Sequence, residues 1–296
     1  MVSRLVFVCV LACLALAGCA SRPPSDLQAV KTAYGPMVDK QSILGRDQAG
    51  DRDGDSPFAA LPNAPGRRSF GALAGRTLTV SSISEIRLAD KEVILTFDDG
   101  PIPGKTDMVL ATLREFGVKA TFLMVGQMAA NYPAIAKRVV AQGHSIGGHT
   151  YNHANLANTA FSQALTDIAN GNAAVARVTG VPVGFFRFPY LADTGALRQA
   201  AAARDLVILD ADIDSKDYFK LSPETLAANT MAKVRAKRKG IILMHDIHGR
   251  TAAMLPLLLS QLRAGGYKVV ALQHRRSRMP EAMVSAGAAE TGVRRL

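Results

Sequence analysis

Short apolar segments alternate with helix-like segments from residue 91 onward, and this alternation constrains the fold more than any other feature. The strand-like segments are 93–97, 120–125, 145–148, 184–187, 206–209, 241–244 and 267–271. The clearest helix-like segments between them are 106–116, 133–142, 223–239 and 251–264. Gly117 and Gly143 are suited to end the first two helices, and Ser222 is a favourable N-cap for the third. The alternation predicts an α/β fold with a parallel sheet, and seven strands are about as many as a closed or nearly closed barrel needs.

The composition is that of a globular protein. The 296 residues allow one large domain or two small ones, and 48% of them are hydrophobic. Lys and Arg number 35 against 24 Asp and Glu, for a net charge of +11. These positive charges are scattered, and the sequence has no zinc-finger spacing, RNA-binding aromatic pattern or basic recognition helix. We therefore predict no nucleic-acid partner.

The first 18 residues have the pattern of a secretory signal, with Arg4 ahead of the apolar run 5–17. Residues 16–19, Leu-Ala-Gly-Cys, resemble the lipobox of bacterial lipoproteins, in which the cysteine is acylated and becomes the new N-terminus. The alternative is a buried helix whose cysteine packs as a small hydrophobe, which Arg4 and the breaker sequence at 21–24 disfavour. The resemblance implies a lipid-carrying Cys19 that attaches the protein to a membrane of the bacterial cell envelope.

The remaining N-terminal residues complete this interpretation. Ala20, and not Asp, follows Cys19, which implies the outer membrane facing the periplasm if the host is Gram-negative. Cys9 and Cys13 lie in the removed segment, so we predict no disulfide. We divide the chain into a signal peptide (1–18), a flexible tether (19–75), a folded domain (76–273) and a basic tail (274–296).

Five polar clusters follow strand-like segments, which is where functional side chains gather in parallel α/β barrels. The clusters lie at 96–101, 149–153, 186–190, 214–218 and 243–246. In the first, the turn after Asp99 would let Asp98 and Asp99 converge, although an ordinary Asp-Gly turn with a helix cap is the alternative. In the second, His149 and His153 could face one way on a helical turn. One Asp with two His would make a three-ligand metal set with an open position.

Each remaining cluster, taken singly, also has a structural explanation, but the order of all five resembles the motifs of the polysaccharide deacetylase family. This family is also called the NodB-homology domain or carbohydrate esterase family 4. The resemblance covers residues 91–273. It implies a distorted (β/α) barrel with about seven parallel strands. It also implies a divalent metal, usually Zn²⁺, and hydrolysis of N-acetyl groups on the amino sugars of peptidoglycan or chitin-type oligosaccharides.

The resemblance assigns catalytic, metal-binding and substrate-binding residues. The catalytic residues are Asp98 as general base, Arg187 to hold it, His245 as general acid and Asp217 to orient it. The metal ligands are Asp99, His149 and His153. The substrate contacts are Pro189, Tyr190 (whose backbone N–H faces the oxyanion), Tyr218 and Leu243, which lines the acetyl pocket.

Three departures from the family pattern bear on substrate preference. Phe188 replaces a usual Pro, Tyr218 replaces a usual Trp, and Ala211 aligns with a further Trp. Because the same machinery cleaves esters, an O-deacetylase of acetylated xylan or exopolysaccharide is the alternative enzyme. A non-catalytic glycan-binding envelope lipoprotein is the alternative outside enzymes, but it should have lost a base, an acid or a metal ligand, and this sequence retains all of them.

Overall fold

The computed structural model describes residues 72–276. The signal peptide, Cys19, nearly all of the tether and most of the basic tail lie outside the described residues, so their assignments stay predictions. The strands are β1 (Ala74–Val80), β2 (Glu92–Asp98), β3 (Thr121–Met124), β4 (Ser145–Gly148), β5 (Phe185–Phe186), β6 (Val207–Ile208), β7 (Ile213–Asp214), β8 (Gly240–His245) and β9 (Lys268–His274). The α-helices are α1 (Lys105–Glu115), α2 (Gly126–Asn131), α3 (Pro133–Ala141), α4 (Phe161–Thr179), α5 (Gly195–Ala202), α6 (Pro223–Lys237) and α7 (Gly249–Ala264).

The strands form one parallel sheet that curls into an incomplete barrel. From β2 the order runs through β3, β4 and β5 to β6 on one side, and through β8 to β7 on the other. Within residues 72–276 no backbone ladder joins β6 to β7, which leaves one open seam. Arg187, after β5, reaches Asp98 at the end of β2, so the sheet is curved across its width. The predicted α/β fold, a distorted parallel barrel, is confirmed.

The two faces of the sheet pack into separate apolar clusters. Val93 and Leu95 of β2 belong to a large cluster shared with helices α1, α6 and α7. Ile94 faces the other way and belongs to a smaller cluster formed by the strands. Because strand side chains alternate between faces, Thr96 and Asp98 continue the row of Ile94, and both are buried. The inner face therefore turns from apolar to polar toward the carboxyl ends of the strands.

Strand β1 lies upstream of the predicted first strand and corrects the domain boundary. It pairs in parallel with β9, and Leu73 and Val80 at its two ends are 3% and 1% exposed. The boundary placed at residue 76 therefore falls inside β1, and the folded domain begins earlier. Most residues of β1 are exposed, so the strand has no apolar run that would mark it in the sequence.

The four predicted helices are present as α1, α3, α6 and α7, with bounds within two residues of those expected. The Oγ of Ser222 accepts a hydrogen bond from the Thr225 N–H at 3.2 Å, so the predicted N-cap of α6 is confirmed. Helices α2, α4 and α5 are additional. Among the residues that the structure describes, no helix is both long enough and apolar enough to cross a bilayer.

Candidate metal centre and active site

The polar clusters of the sequence meet where the parallel strands end. Asp98 and His245 are the last residues of β2 and β8, and they are register partners in the ladder between these strands. His149 directly follows β4, and Arg187 directly follows β5. Because parallel strands present their carboxyl ends at one edge of the sheet, residues far apart in sequence share this site.

Asp98 and Asp99 serve the same site because the backbone turns at Asp99. Strand β2 ends at Asp98, and Asp99 has a φ of 78°, in the left-handed region that Asp tolerates better than most residues. Both carboxylates then lie near His149: Asp99 Oδ1 is 3.4 Å and Asp98 Oδ2 is 4.0 Å from its Nε2. The sequence predicted that the turn after Asp99 would bring the two carboxylates together. In the structure the backbone already changes direction at Asp99 itself.

His149 and His153 lie on a loop, and not on the helical turn that their spacing allows. Thr150 and His153 have φ values of 65° and 60°, which are incompatible with a regular right-handed helix. The Thr150 carbonyl accepts a hydrogen bond from the N–H of Gly126, at the start of α2, at 2.9 Å. The two histidines therefore meet because neighbouring elements hold the loop, and helical spacing plays no part.

Helix α4 supports this loop from behind. A Cβ on Gly171 would lie only 2.4 Å from the carbonyl carbon of Thr150, so glycine is needed for the approach of helix and loop. Asp167, one turn earlier on α4, faces the Tyr151 N–H and the Thr150 hydroxyl, and burial raises its pKa. The position of the loop thus depends on α4, which the sequence analysis did not include.

Asp99, His149 and His153, hereafter the Asp-His-His cluster, bring three possible ligand atoms within 4.8 Å of one another. Asp99 Oδ1 lies 3.2 Å from His153 Nε2, is buried, and accepts no hydrogen bond within the described residues. Burial opposes its charge, but His153 and His149 hold the pKa of Asp99 well below the ordinary carboxyl value. The Nδ1 of His149 is 2.8 Å from the Arg187 carbonyl oxygen, to which it can donate, and this leaves Nε2 to ligate. A buried carboxylate beside two imidazoles fits a divalent cation such as Zn²⁺.

Arg187 holds Asp98 by one oxygen. Its Nη1 donates to Asp98 Oδ1 at 2.7 Å and to Thr96 Oγ1 at 2.8 Å, and its Nε donates to the Leu209 carbonyl at 2.9 Å. Both members of the Arg187–Asp98 pair are almost fully buried. Asp98 Oδ2 is left facing the Asp-His-His cluster. The carboxylate is therefore fixed, with one oxygen available at the site.

Asp217 holds His245 on the other side of the site. The carboxylate is fully buried, lies 2.7 Å from His245 Nδ1, and accepts the His245 backbone N–H at 2.7 Å and the Thr251 hydroxyl at 2.6 Å. Burial disfavours a charged His245, but the charge and hydrogen bond of Asp217, assisted by Asp99 and Asp98, raise its pKa to about 10. Since Nδ1 is committed to Asp217, Nε2 is the nitrogen that can exchange a proton.

The residues predicted to contact substrate lie at the border of the site; they are Pro189, Tyr190, Tyr218 and Leu243. The ring of Tyr190 packs edge-on to His153 at 4.7 Å between centroids, and that of Tyr218 packs edge-on to His245 at 5.7 Å. Tyr190 and Tyr218 are 44% and 42% exposed, whereas Pro189 and Leu243 are buried. One exposed aromatic ring thus lies beside the Asp-His-His cluster and another beside His245. Their roles toward substrate stay predictions.

Three buried polar residues that hold the site together were given no role from the sequence: Thr96 and Asp246, which lie within the predicted clusters, and Thr251, which lies outside them. Thr96 Oγ1 donates to the Ile242 carbonyl at 2.7 Å and accepts from Arg187, so it joins β2 to β8 and to the guanidinium. Asp246 is buried, and this burial raises its pKa to about 7 although Thr106 donates to it. For Thr96 and Asp246, a polar residue inside or next to an otherwise apolar strand was the available signal, whereas Thr251 lies in α7 and had none.

The fold and this arrangement of side chains define a member of the polysaccharide deacetylase family. A sequence profile described as "Polysaccharide deacetylase" matches residues 86–208. The chain belongs to this family, and the membership predicted from its five motifs is confirmed.

Three known proteins illustrate the relationship. The peptidoglycan-N-acetylglucosamine deacetylase PgdA of Listeria monocytogenes is 34% identical over 184 residues, which cover 62% of this chain and 38% of that protein. A peptidoglycan-N-acetylglucosamine deacetylase of Bacillus cereus is 31% identical over 191 residues, covering 63% of this chain and 88% of that protein. The structure of the peptidoglycan deacetylase Bd3279 of Bdellovibrio bacteriovorus superposes with a TM-score of 0.59 and 36% identity, covering 66% of this chain and 55% of that one. The chain therefore spans well under half of the Listeria protein.

Proposed function

We propose that the protein is a divalent-metal-dependent deacetylase that hydrolyses N-acetyl groups on the amino sugars of a polysaccharide, with Zn²⁺ as the metal. One observation carries the proposal. A buried carboxylate held by an arginine (Asp98 and Arg187) and an imidazole held by a carboxylate (His245 and Asp217) both adjoin the Asp-His-His cluster. A base and an acid with opposite electrostatic surroundings are what general acid–base catalysis requires.

Amide hydrolysis near neutral pH needs an activated water, a stabilised oxyanion and a protonated leaving amine. A divalent cation on the Asp-His-His cluster would supply a Lewis acid for the water and for the acetyl carbonyl. Asp98 accepts the proton of the attacking water at Oδ2, because Arg187 occupies Oδ1. Arg187 also keeps the carboxylate from rotating away, since its guanidinium is bonded to Thr96 and to the Leu209 carbonyl.

The proton for the leaving nitrogen comes from His245 Nε2. A pKa of about 10 keeps the ring protonated at neutral pH in the metal-free protein. Asp217 stabilises the charged ring and retains the Nδ1–H after transfer, so the same tautomer is ready to be protonated again. Asp98 and His245 thus divide the two proton transfers between them.

Peptidoglycan is the first substrate to test, because the relatives described above are named peptidoglycan deacetylases. Acetate release should be measured on purified peptidoglycan, chito-oligosaccharide and acetylated xylan, with Asp98→Asn as the matched inactive control. The proposal expects acetate and free amine from one or both of the first two. A preference for acetylated xylan would replace it with the O-deacetylase. No release from any of the three, with the metal bound, would favour the non-catalytic glycan-binding protein.

The proposal places the protein in the bacterial cell envelope, attached through lipid on Cys19. It is supported by residues 16–19 and the signal-like segment before them. Stable anchoring requires two or more acyl chains, which an acylated N-terminal cysteine carries. Cys19→Ser expressed in a bacterial host should not incorporate a labelled fatty acid, and a labelled variant would show that the anchor has been misassigned.

A further inference from the structure

Asp246 is a buried carboxyl group that the proposed chemistry does not use. It directly follows His245 and is 1% exposed. Its Oδ1 accepts the backbone N–H of Gly100 at 3.0 Å, and its Oδ2 accepts the hydroxyl of Thr106 at 2.7 Å. Gly100 is the residue after Asp99, and Thr106 lies in the first turn of α1. Asp246 therefore binds both ends of the turn that follows the carboxylate of the Asp-His-His cluster.

The fit between Asp246 and this turn is close. A Cβ on Gly100 would lie 2.2 and 2.3 Å from the two carboxylate oxygens of Asp246. Any side chain at position 100 would push the carboxylate away, because this Cβ would overlap the carboxylate itself. Asp246 thus packs directly on the backbone one residue beyond Asp99.

The Thr106 hydroxyl both accepts and donates a hydrogen bond. Its hydroxyl oxygen accepts the Ile102 N–H at 2.8 Å, and its hydroxyl hydrogen is donated to Asp246. The carboxylate is therefore an acceptor at both oxygens, for Gly100 and for Thr106. An Asn at position 246 could accept from Gly100, but its NH₂ would leave the Thr106 hydroxyl hydrogen without this acceptor.

We propose that Asp246 is a positioning residue for the metal site: it fixes the turn 100–106 so that the Asp99 carboxylate meets the two histidines. Because Asp246 and His245 are consecutive, the same contact ties the strand end that carries the proton donor to the metal carboxylate. This inference rests on the proposed function in one respect, namely that the Asp-His-His cluster holds a divalent cation. Mutation of a residue that orients metal ligands without binding the metal itself typically lowers metal affinity by about 10–100-fold.

The test measures the Zn²⁺ dissociation constant of the metal-free full chain, by competition with a chromogenic chelator and without substrate. Thr106→Val interrupts the hydrogen-bond chain and should raise this constant about 10-fold or more. Thr106→Ser keeps the hydroxyl and should bind Zn²⁺ nearly as the wild type does. Thr112→Val, at a buried threonine farther along α1, is the matched control and should leave the affinity unchanged.

Asp246→Asn should also raise the Zn²⁺ dissociation constant. The double variant with Thr106→Val should have a dissociation constant no higher than that of the single variant that binds Zn²⁺ less tightly, because both changes break one network. Wild-type affinity in Thr106→Val, or an equal loss in Thr106→Ser, would overturn the proposal. If Asp246→Asn does not fold, the Thr106 variants decide alone. A wild-type chain that binds no Zn²⁺ would overturn both proposals, whereas one that binds Zn²⁺ but releases no acetate would overturn only the proposed function.

Discussion

Asp217 binds His245 at two points: one carboxylate oxygen lies 2.7 Å from the ring Nδ1, and the other accepts the backbone N–H at 2.7 Å. A single buried carboxylate thus orients the imidazole and fixes the end of the strand that carries it. Its charge is also the main reason why the pKa of His245 rises in spite of burial. Position, tautomer and protonation state of the proposed acid therefore depend on one side chain.

The stability of the metal-free protein should depend on pH through His245. Because folding raises the pKa of His245 from 6.5 to about 10, the folded protein binds this proton more tightly than the unfolded chain does. The resulting stabilisation is complete below pH 6.5 and is lost as the pH rises toward about 10. In Asp217→Asn the pKa of His245 should fall, so the melting temperature should decrease less over this range. Melting curves in excess chelator, from pH 6 to about 10, check this; parallel pH profiles would contradict it.

Variants of His153 and His245 should distinguish metal ligation from proton donation. His153→Ala removes one of the three proposed ligands, so bound Zn²⁺ and activity should fall together, and chelation of the wild type should have the same effect. His245→Ala should keep its metal while the rate on an amide substrate drops by about 10²–10⁴-fold, the usual range for a positioned acid. Metal analysis and acetate release measure both.

His245→Ala and Asp98→Asn should differ in their activity on an activated ester. An aryl acetate has a leaving group that needs no proton, so His245→Ala should lose much less rate on it than on the amide. Asp98→Asn should lose rate on both substrates, because water activation is common to them. An equal loss of amide and ester activity in His245→Ala would remove the general-acid assignment.

A single methyl group at Gly171 should disturb the histidine loop. Its Cβ would approach the Thr150 carbonyl carbon to 2.4 Å, and overpacking of this kind costs about 1–3 kcal/mol. Gly171→Ala should therefore lower the free energy of unfolding by about that amount and weaken Zn²⁺ binding. Gly195→Ala, where a Cβ would meet nothing within 4 Å, is the matched control. If both variants unfold at the same denaturant concentration, α4 does not support the loop as described.

Strand β1 should be required for folding. A chain that begins at residue 72 retains Leu73 and the full pairing of β1 with β9, and should keep the circular dichroism spectrum of the domain. A chain that begins at residue 81 exposes the edge of β9 and the inner apolar cluster that Val80 completes, and should aggregate or melt at lower temperature. Equal melting temperatures for the two chains would show that β1 is dispensable.

All seven strand-like segments of the sequence contain strands of the structure, and six of them are mostly apolar and buried, as expected for strands covered by helices. The exception is 145–148, Ser-Ile-Gly-Gly, in which Ile146 is the one large apolar residue. The two missed strands have no apolar run. Most of β1 is exposed, and β7 consists of Ile213 and Asp214 alone, with a single apolar residue. Patterns of hydrophobicity mark burial, so strands at an edge or of two residues escape them.

The site was predictable to the extent that it lies at strand ends. The convergence of Asp98, His149 and Arg187 follows from the parallel sheet alone. The conformation of the 149–153 loop does not, because it depends on backbone angles at Thr150 and on contacts with α2 and α4. Hydrogen bonds between distant positions, such as that of Thr251 to Asp217, leave no pattern in one sequence.

Arg187 has a structural role at the open seam of the barrel and a role in holding Asp98, and no single substitution can remove one without the other. Its guanidinium bonds to the carbonyls of Leu209 and Asp210, just where the ladder of β6 ends, and to the carboxylate of Asp98. Deleting the charge would leave Asp98 buried and unpaired, at a cost of about 3–5 kcal/mol, besides freeing the two carbonyls. A substitution of Arg187 is consequently a poor choice for a folded but inactive reference enzyme. Variant libraries built for thermostability should keep this arginine unchanged. Asp98→Asn is the better inactive reference, because the Asn keeps an oxygen that can accept from Arg187 and the bonds of the guanidinium to the two carbonyls stay in place.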